Sequence, residues 1–110
     1  MSDAFQEREK GFERKFQLDQ EQQFKVAARR DHLFGLWLAS KSGLSGASAE
    51  QYAKDVVDSN FDKPGDEDML GKVRKDLATK KVVISDHDLM TKLHDCRDEA
   101  ARQIVGETKK

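Results

Sequence analysis

Apolar residues in this chain return at helical intervals in four separate runs, and that periodicity constrains the fold more than any other feature. Val26, Leu33 and Trp37 stand beside Ala27, Phe34 and Leu38 in the first run, and Tyr52, Ala53, Val56 and Val57 form the second. Met69, Leu70, Val73 and Leu77 make the third, and Leu89, Leu93, Cys96, Ala100 and Ile104 the fourth. Each run predicts an amphipathic helix whose apolar face needs a neighbour. The main breaks between runs are Gly43 with Gly46, then Lys63-Pro64-Gly65, then a softer polar stretch over 79–85. Connections this short make consecutive helices antiparallel neighbours, so the expected fold is all-α, a four-helix bundle.

Boundary chemistry agrees with that division. Ser48 precedes Gln51, and Ser85 precedes Asp88, by the three residues of a capping box or a near-box. Pro64 suits a first helical turn. Asp66, Glu67 and Asp68 are then expected in the first turn of the third helix, where the backbone dipole favours negative charge. Val82-Val83-Ile84 is the one β-like run, with nothing elsewhere to pair with, and reads as an extended linker packed on the core.

With 110 residues there is room for one domain and one hydrophobic core. The formal net charge of -1 and the pI near 6.3 argue against a nucleic-acid or anionic-membrane binder, because such proteins need excess Lys and Arg to displace counterions. No apolar stretch of about 18 residues is present to cross a bilayer, so direct membrane insertion is not expected. Met1-Ser2-Asp3 also lacks the basic and apolar regions of a secretory signal, and the expected location is the cytoplasm. Cys96 is the only cysteine and reads as an ordinary packed thiol.

No catalytic or metal site emerges from spacing. Ser42-Gly43-Leu44-Ser45-Gly46 is followed by Ala47, where a phosphate loop needs Lys and then Ser or Thr, so it reads as a helix–helix turn. A calcium loop starting at Asn60 fails twice, with Pro64 at a ligand position and Gly71 where a bidentate glutamate belongs. His32, His87 and His94 form no i, i+4 pair. No cofactor is expected. The alternative function compatible with the residues is weak adenine-nucleotide binding through Arg29, Arg30, Lys41 or Lys54, or a general protein-interaction module.

Residues 1–19 differ from the rest and are expected to form an arm, with 20–110 as the bundle. Phe5, Phe12 and Phe16 lie within roughly 40° of one another on a helix, a narrow aromatic stripe in a Gln, Glu, Arg and Lys background. Gly11 costs about 1 kcal/mol of helix stability relative to Ala, and a lone helix this short is marginal, so the expected arm is flexible and partly helical. Two readings of the stripe stand together: the rings cover an edge of the bundle, or they anchor the arm in a partner's groove.

Taken in order, the segments resemble the zeta subunit of alphaproteobacterial F-type ATP synthases, an ATPase inhibitor, over nearly the whole length. The carriers are Arg8-Glu9-Lys10 with Phe12-Glu13-Arg14-Lys15-Phe16, Phe24-Lys25 with Ala28-Arg29-Arg30, and Gly35-Leu36-Trp37. They continue with Tyr52-Ala53-Lys54-Asp55-Val56-Val57, Pro64-Gly65-Asp66-Glu67-Asp68 and Lys72-Val73-Arg74-Lys75-Asp76. The resemblance implies a non-enzymatic regulatory subunit, a monomer when free, at the cytoplasmic face of the membrane-bound synthase. Its arm would insert at a catalytic interface of the enzyme's head, against the central stalk, and block ATP hydrolysis. The implied partner-binding residues are Phe5, Arg8, Glu9, Phe12, Glu13, Arg14, Lys15 and Phe16. Gly11 departs from the pattern, which implies alanine there.

Overall fold

The computed structural model describes residues 18–60 and 65–108, and the described residues form four α-helices and no strand. They are α1 (Gln20–Lys41), α2 (Gly46–Ser59), α3 (Glu67–Thr79) and α4 (Asp86–Thr108). The chain is the all-α helical bundle its periodicity predicts. The arm residues Phe5, Arg8, Glu9, Phe12, Glu13, Arg14, Lys15 and Phe16 lie outside the described residues, as do Lys63 and Pro64.

Helix α1 is the axis of the fold, with α2 and α4 packed along it and α3 packed on α2. Side-chain pairs fix the directions. Lys92 lies over the Trp37 ring near one end of α1, while Gln103 and Glu107 meet Arg29 near the other, so α4 runs antiparallel to α1. Gly35 faces Ala53 and Val56 while Asp31 meets Asn60, which sets α2 antiparallel to α1. Tyr52 with Asp76, and Asn60 with Asp66, do the same for α2 and α3.

The larger core cluster joins all four helices through Phe34, Leu38, Val56, Met69, Val73, Leu89, Leu93 and Cys96, each buried. A smaller cluster of Val26, Ala100, Ala101 and Ile104 closes the end where α1 begins. Of the predicted face residues, Ala27 is exposed, while Leu33 and Trp37 are half-buried and pack against the core. Gly35 sets the α1–α2 distance. A Cβ there would lie 2.7 Å from the Ala53 Cα, so only the hydrogen of glycine fits between the two backbones.

Helix ends explain the breaks. After α1, Gly43 takes φ 80°, its N–H bonding the Ser40 carbonyl at 3.1 Å and that of Leu44 bonding Ala39 at 2.8 Å, a Schellman stop. Helix α3 ends in the same motif without glycine: Lys81 holds φ 57°, with the N–H of Val82 bonded to the Leu77 carbonyl at 2.9 Å. A lysine stop carries no glycine signal, which is why 79–85 looks like a soft break. Val82 and Ile84 pack on the core with Val83 turned outward, as the linker reading expects. The Ser85 hydroxyl accepts the N–H of Asp88 at 3.1 Å, as expected. The Ser48–Gln51 box does not start α2, which begins at Gly46 with Ser45 at its N-cap.

Candidate functional site

The expected partner-binding residues lie outside the described residues, and the surface nearest to them is the start of α1. Asp19 caps α1 reciprocally: its carboxylate accepts the N–H of Gln22 at 2.7 Å, and the Gln22 side-chain oxygen accepts the N–H of Asp19 at 3.1 Å. The Asp19 backbone is extended, at φ -77° and ψ 177°, so α1 stops there. Leu18 is half-buried against the small cluster of Val26, Ala100, Ala101 and Ile104, and its carbonyl accepts from Gln23 Nε2 at 3.1 Å. The last residue of the chain before the cap is therefore fixed beside the C-terminal half of α4.

Next to this root lies a groove between α1, α2 and α4. Its floor holds Phe24, Ala28, Val57 and Ile104, and Phe24 leaves 57% of its surface exposed. Its rim is ionic, and apart from Lys54 its basic residues are paired within the chain. Arg29 clamps Glu107 with contacts of 2.8 and 3.2 Å, holding that carboxyl below the usual carboxylate range, and donates to Gln103 at 2.6 Å. Lys25 pairs with Glu21 at 3.3 Å, and His32 meets Glu50 at 3.1 Å.

A second polar group sits deeper, at the α2–α3 connection. Arg30 and Asp31 are buried on α1. The Arg30 guanidinium donates to Asp31 at 2.9 Å and to Asp66 at 2.7 Å, while Asn60 Nδ2 donates to Asp31 at 2.9 Å and to Asp66 at 3.0 Å. Both ends of the connection, Asn60 and Asp66, are thus tied to one turn of α1. Burial pushes the Asp31 carboxyl above its ordinary range despite Arg30 beside it. For Asp66 burial acts the same way, but the hydrogen bonds from Arg30 and Asn60 outweigh it and hold the carboxyl low. Asp66 was expected in the first turn of α3. It stands instead at the N-cap without a side-chain cap bond, because its carboxylate is committed to Arg30.

The basic residues considered for a nucleotide do not converge. Arg30 is buried between two carboxylates, Arg29 is clamped by Glu107, and Lys41 lies over Trp37 at the far end of α1. Only Lys54, on the groove, keeps company with Arg29. The Tyr52 phenol and the Cys96 thiol are both shifted toward their protonated forms. Burial and a hydrogen bond to Asp76 at 2.9 Å push the Tyr52 phenol up, and burial pushes the Cys96 thiol up. Neither is an activated nucleophile. The described residues include no group of three or more His, Cys, Asp or Glu side chains arranged to hold a metal ion.

Reasoning from sequence missed the joint role of Arg30, Asp31, Asn60 and Asp66. The adjacent Arg30-Asp31 pair on the edge of an apolar face was the available signal. A family model described as ATPase inhibitor subunit zeta matches residues 1–103, which takes in the residues before α1 and nearly all of the four helices. No curated protein matches the chain.

Proposed function

The chain belongs to the ATPase inhibitor subunit zeta family, and from that premise we propose that it is a non-catalytic regulatory subunit that restrains ATP hydrolysis by an F-type ATP synthase. Residues 1–19 are the inhibitory arm and 20–110 the bundle that anchors it. Phe5, Phe12 and Phe16 supply apolar anchors at a catalytic interface of the head, against the central stalk. Arg8, Glu9, Glu13, Arg14 and Lys15 flank them. The protein acts as a monomer from the cytoplasmic face of the membrane. Among the described residues no helix is long and apolar enough to cross a membrane.

The observation that carries this reading is the family match from residue 1, which takes in the aromatic arm together with the bundle. Physical reasoning supports the division of labour. A bundle held on the enzyme raises the local concentration of its own arm, and an arm that gains helix only on binding pays ordering entropy there and is released more readily. ATP hydrolysis by the purified head complex, stripped of this protein, tests it. Full-length chain added back should inhibit, while the 17–110 fragment should not. Equal inhibition by the fragment would remove the arm model.

A further inference from the structure

We propose that the groove between α1, α2 and α4 is a storage site for the chain's own residues 5–16, so that the arm has two docks and must leave one to reach the other. The idea rests on the arm being the inhibitory element, and it adds a regulatory step to that element.

Four observations converge. The arm is rooted at the mouth of the groove, since Leu18 packs on the small cluster that includes Ile104, which also lines the groove. The reciprocal cap at Asp19 ends α1 with extended backbone, so a segment arriving there can lie back along the helix without continuing it. The dimensions agree: twelve helical residues span about 18 Å, and the stretch of α1 from Phe24 to His32 rises about 12 Å. The chemistry agrees as well. The floor is apolar, with Phe24 more than half exposed, and the phenylalanine stripe is the one apolar feature of the segment that must be covered.

Charge then selects the occupant. Arg29, Lys25 and His32 on the rim are each matched by a carboxylate of this chain, which leaves Lys54 as the one lining cation without an ion pair among the described residues, too little charge to select a strongly acidic or strongly basic ligand. Residues 1–17 carry Asp3, Glu7, Glu9 and Glu13 against Arg8, Lys10, Arg14 and Lys15, a balance of zero. A tethered, electrically neutral, aromatic segment is favoured here over a free ligand because tethering supplies an effective concentration on the order of millimolar.

Paramagnetic relaxation in the full-length chain reads this contact without the enzyme. A nitroxide is placed by Gly11→Cys in a Cys96→Ala background, and amide intensities are compared before and after reduction of the label. The expected result is selective broadening at Phe24, Ala28, Val57 and Ile104, lost on Phe24→Glu and equally on the double change Phe12→Ser, Phe16→Ser. Uniform intensities, or broadening that survives both variants, would overturn the proposal. So would broadening that appears only when spin-labelled and isotope-labelled molecules are mixed, since the occupant would then be a second copy.

Inhibition gives the second readout. An arm stored nine-tenths of the time weakens its apparent affinity about tenfold, so Phe24→Glu should inhibit hydrolysis several-fold more potently than the parent chain. Equal or weaker potency with the relaxation effect intact would leave a contact that stores nothing and overturn the regulatory step. If the parent itself fails to inhibit, the functional reading fails while the relaxation measurement still decides the groove.

Discussion

Arg30 shows how much a single residue decides in this protein. Its guanidinium sits between Asp31 and Asp66, both of which also take a hydrogen from Asn60. Removing it leaves Asp31 buried with its main countercharge gone, and breaking one side of a buried ionic group costs about 3–5 kcal/mol. Arg30→Ala should therefore lower stability by about that much in urea unfolding, whereas Arg29→Ala, which breaks an exposed pair with Glu107, should cost at most about 1 kcal/mol. Equal effects of the two changes would show that the buried group holds nothing. Sequence spacing offered Arg29 and Arg30 as equivalent neighbours. The rotation of about 100° between adjacent helical residues makes one a surface clamp and the other a buried centre.

At the scale of elements, the informative contact is the close approach of α1 and α2 at Gly35. In the sequence Gly35 stands out only as part of Gly35-Leu36-Trp37, one of the segments that carry the family resemblance, inside a helical run where glycine costs about 1 kcal/mol relative to alanine. On propensity alone, Gly35→Ala should stabilise. The structure reverses the sign, because the added Cβ would lie 2.7 Å from the Ala53 Cα and 3.3 Å from the Val56 Cβ. Backbone must move to relieve that overlap, so the variant should lose about 1–3 kcal/mol in thermal or urea unfolding. Gly71→Ala, also within a helix but with open space around it, should be neutral or stabilising. Helix ends tell a related story. The α1 stop at Gly43 was readable because its residue is glycine, and the α3 stop at Lys81 was not, although both use the same left-handed motif.

Across the whole molecule, the buried part of the acid response of folding stability follows from Asp31 and Asp66, which are shifted in opposite directions, while the exposed Glu107 is also held low by Arg29. Asp66 is held low in the fold, so its contribution is complete above the unfolded carboxylate value of about 3.9 and is lost as pH falls through its folded pKa. Asp31 is held high, so the native state binds more protons than the unfolded chain between the ordinary and the raised value, and stability declines as pH rises through that window. Lowering the pH from neutrality should first raise stability slightly and then reduce it. Urea unfolding across a pH series checks this: Asp31→Asn should abolish the rise, and Asp66→Asn should flatten the acid fall. A monotonic curve unchanged by either substitution would contradict the opposed shifts.

The helical class, the four runs, most of the core and the turn at Gly43 were legible in the amino-acid order, because these depend on local periodicity and backbone preference. It also marked the aromatic stripe of residues 5–16 as a feature apart. Tertiary structure alone decided which half of each apolar face is covered, why Gly35 is required, and how Arg30, Asp31, Asn60 and Asp66 meet from three places in the chain. It also decided that Phe24, a residue of the first helix with no special spacing, becomes the floor of a groove at the root of the arm. The physical reason is that a period fixes where a side chain points around its own helix, while the neighbour it meets is set by crossing geometry and register between helices.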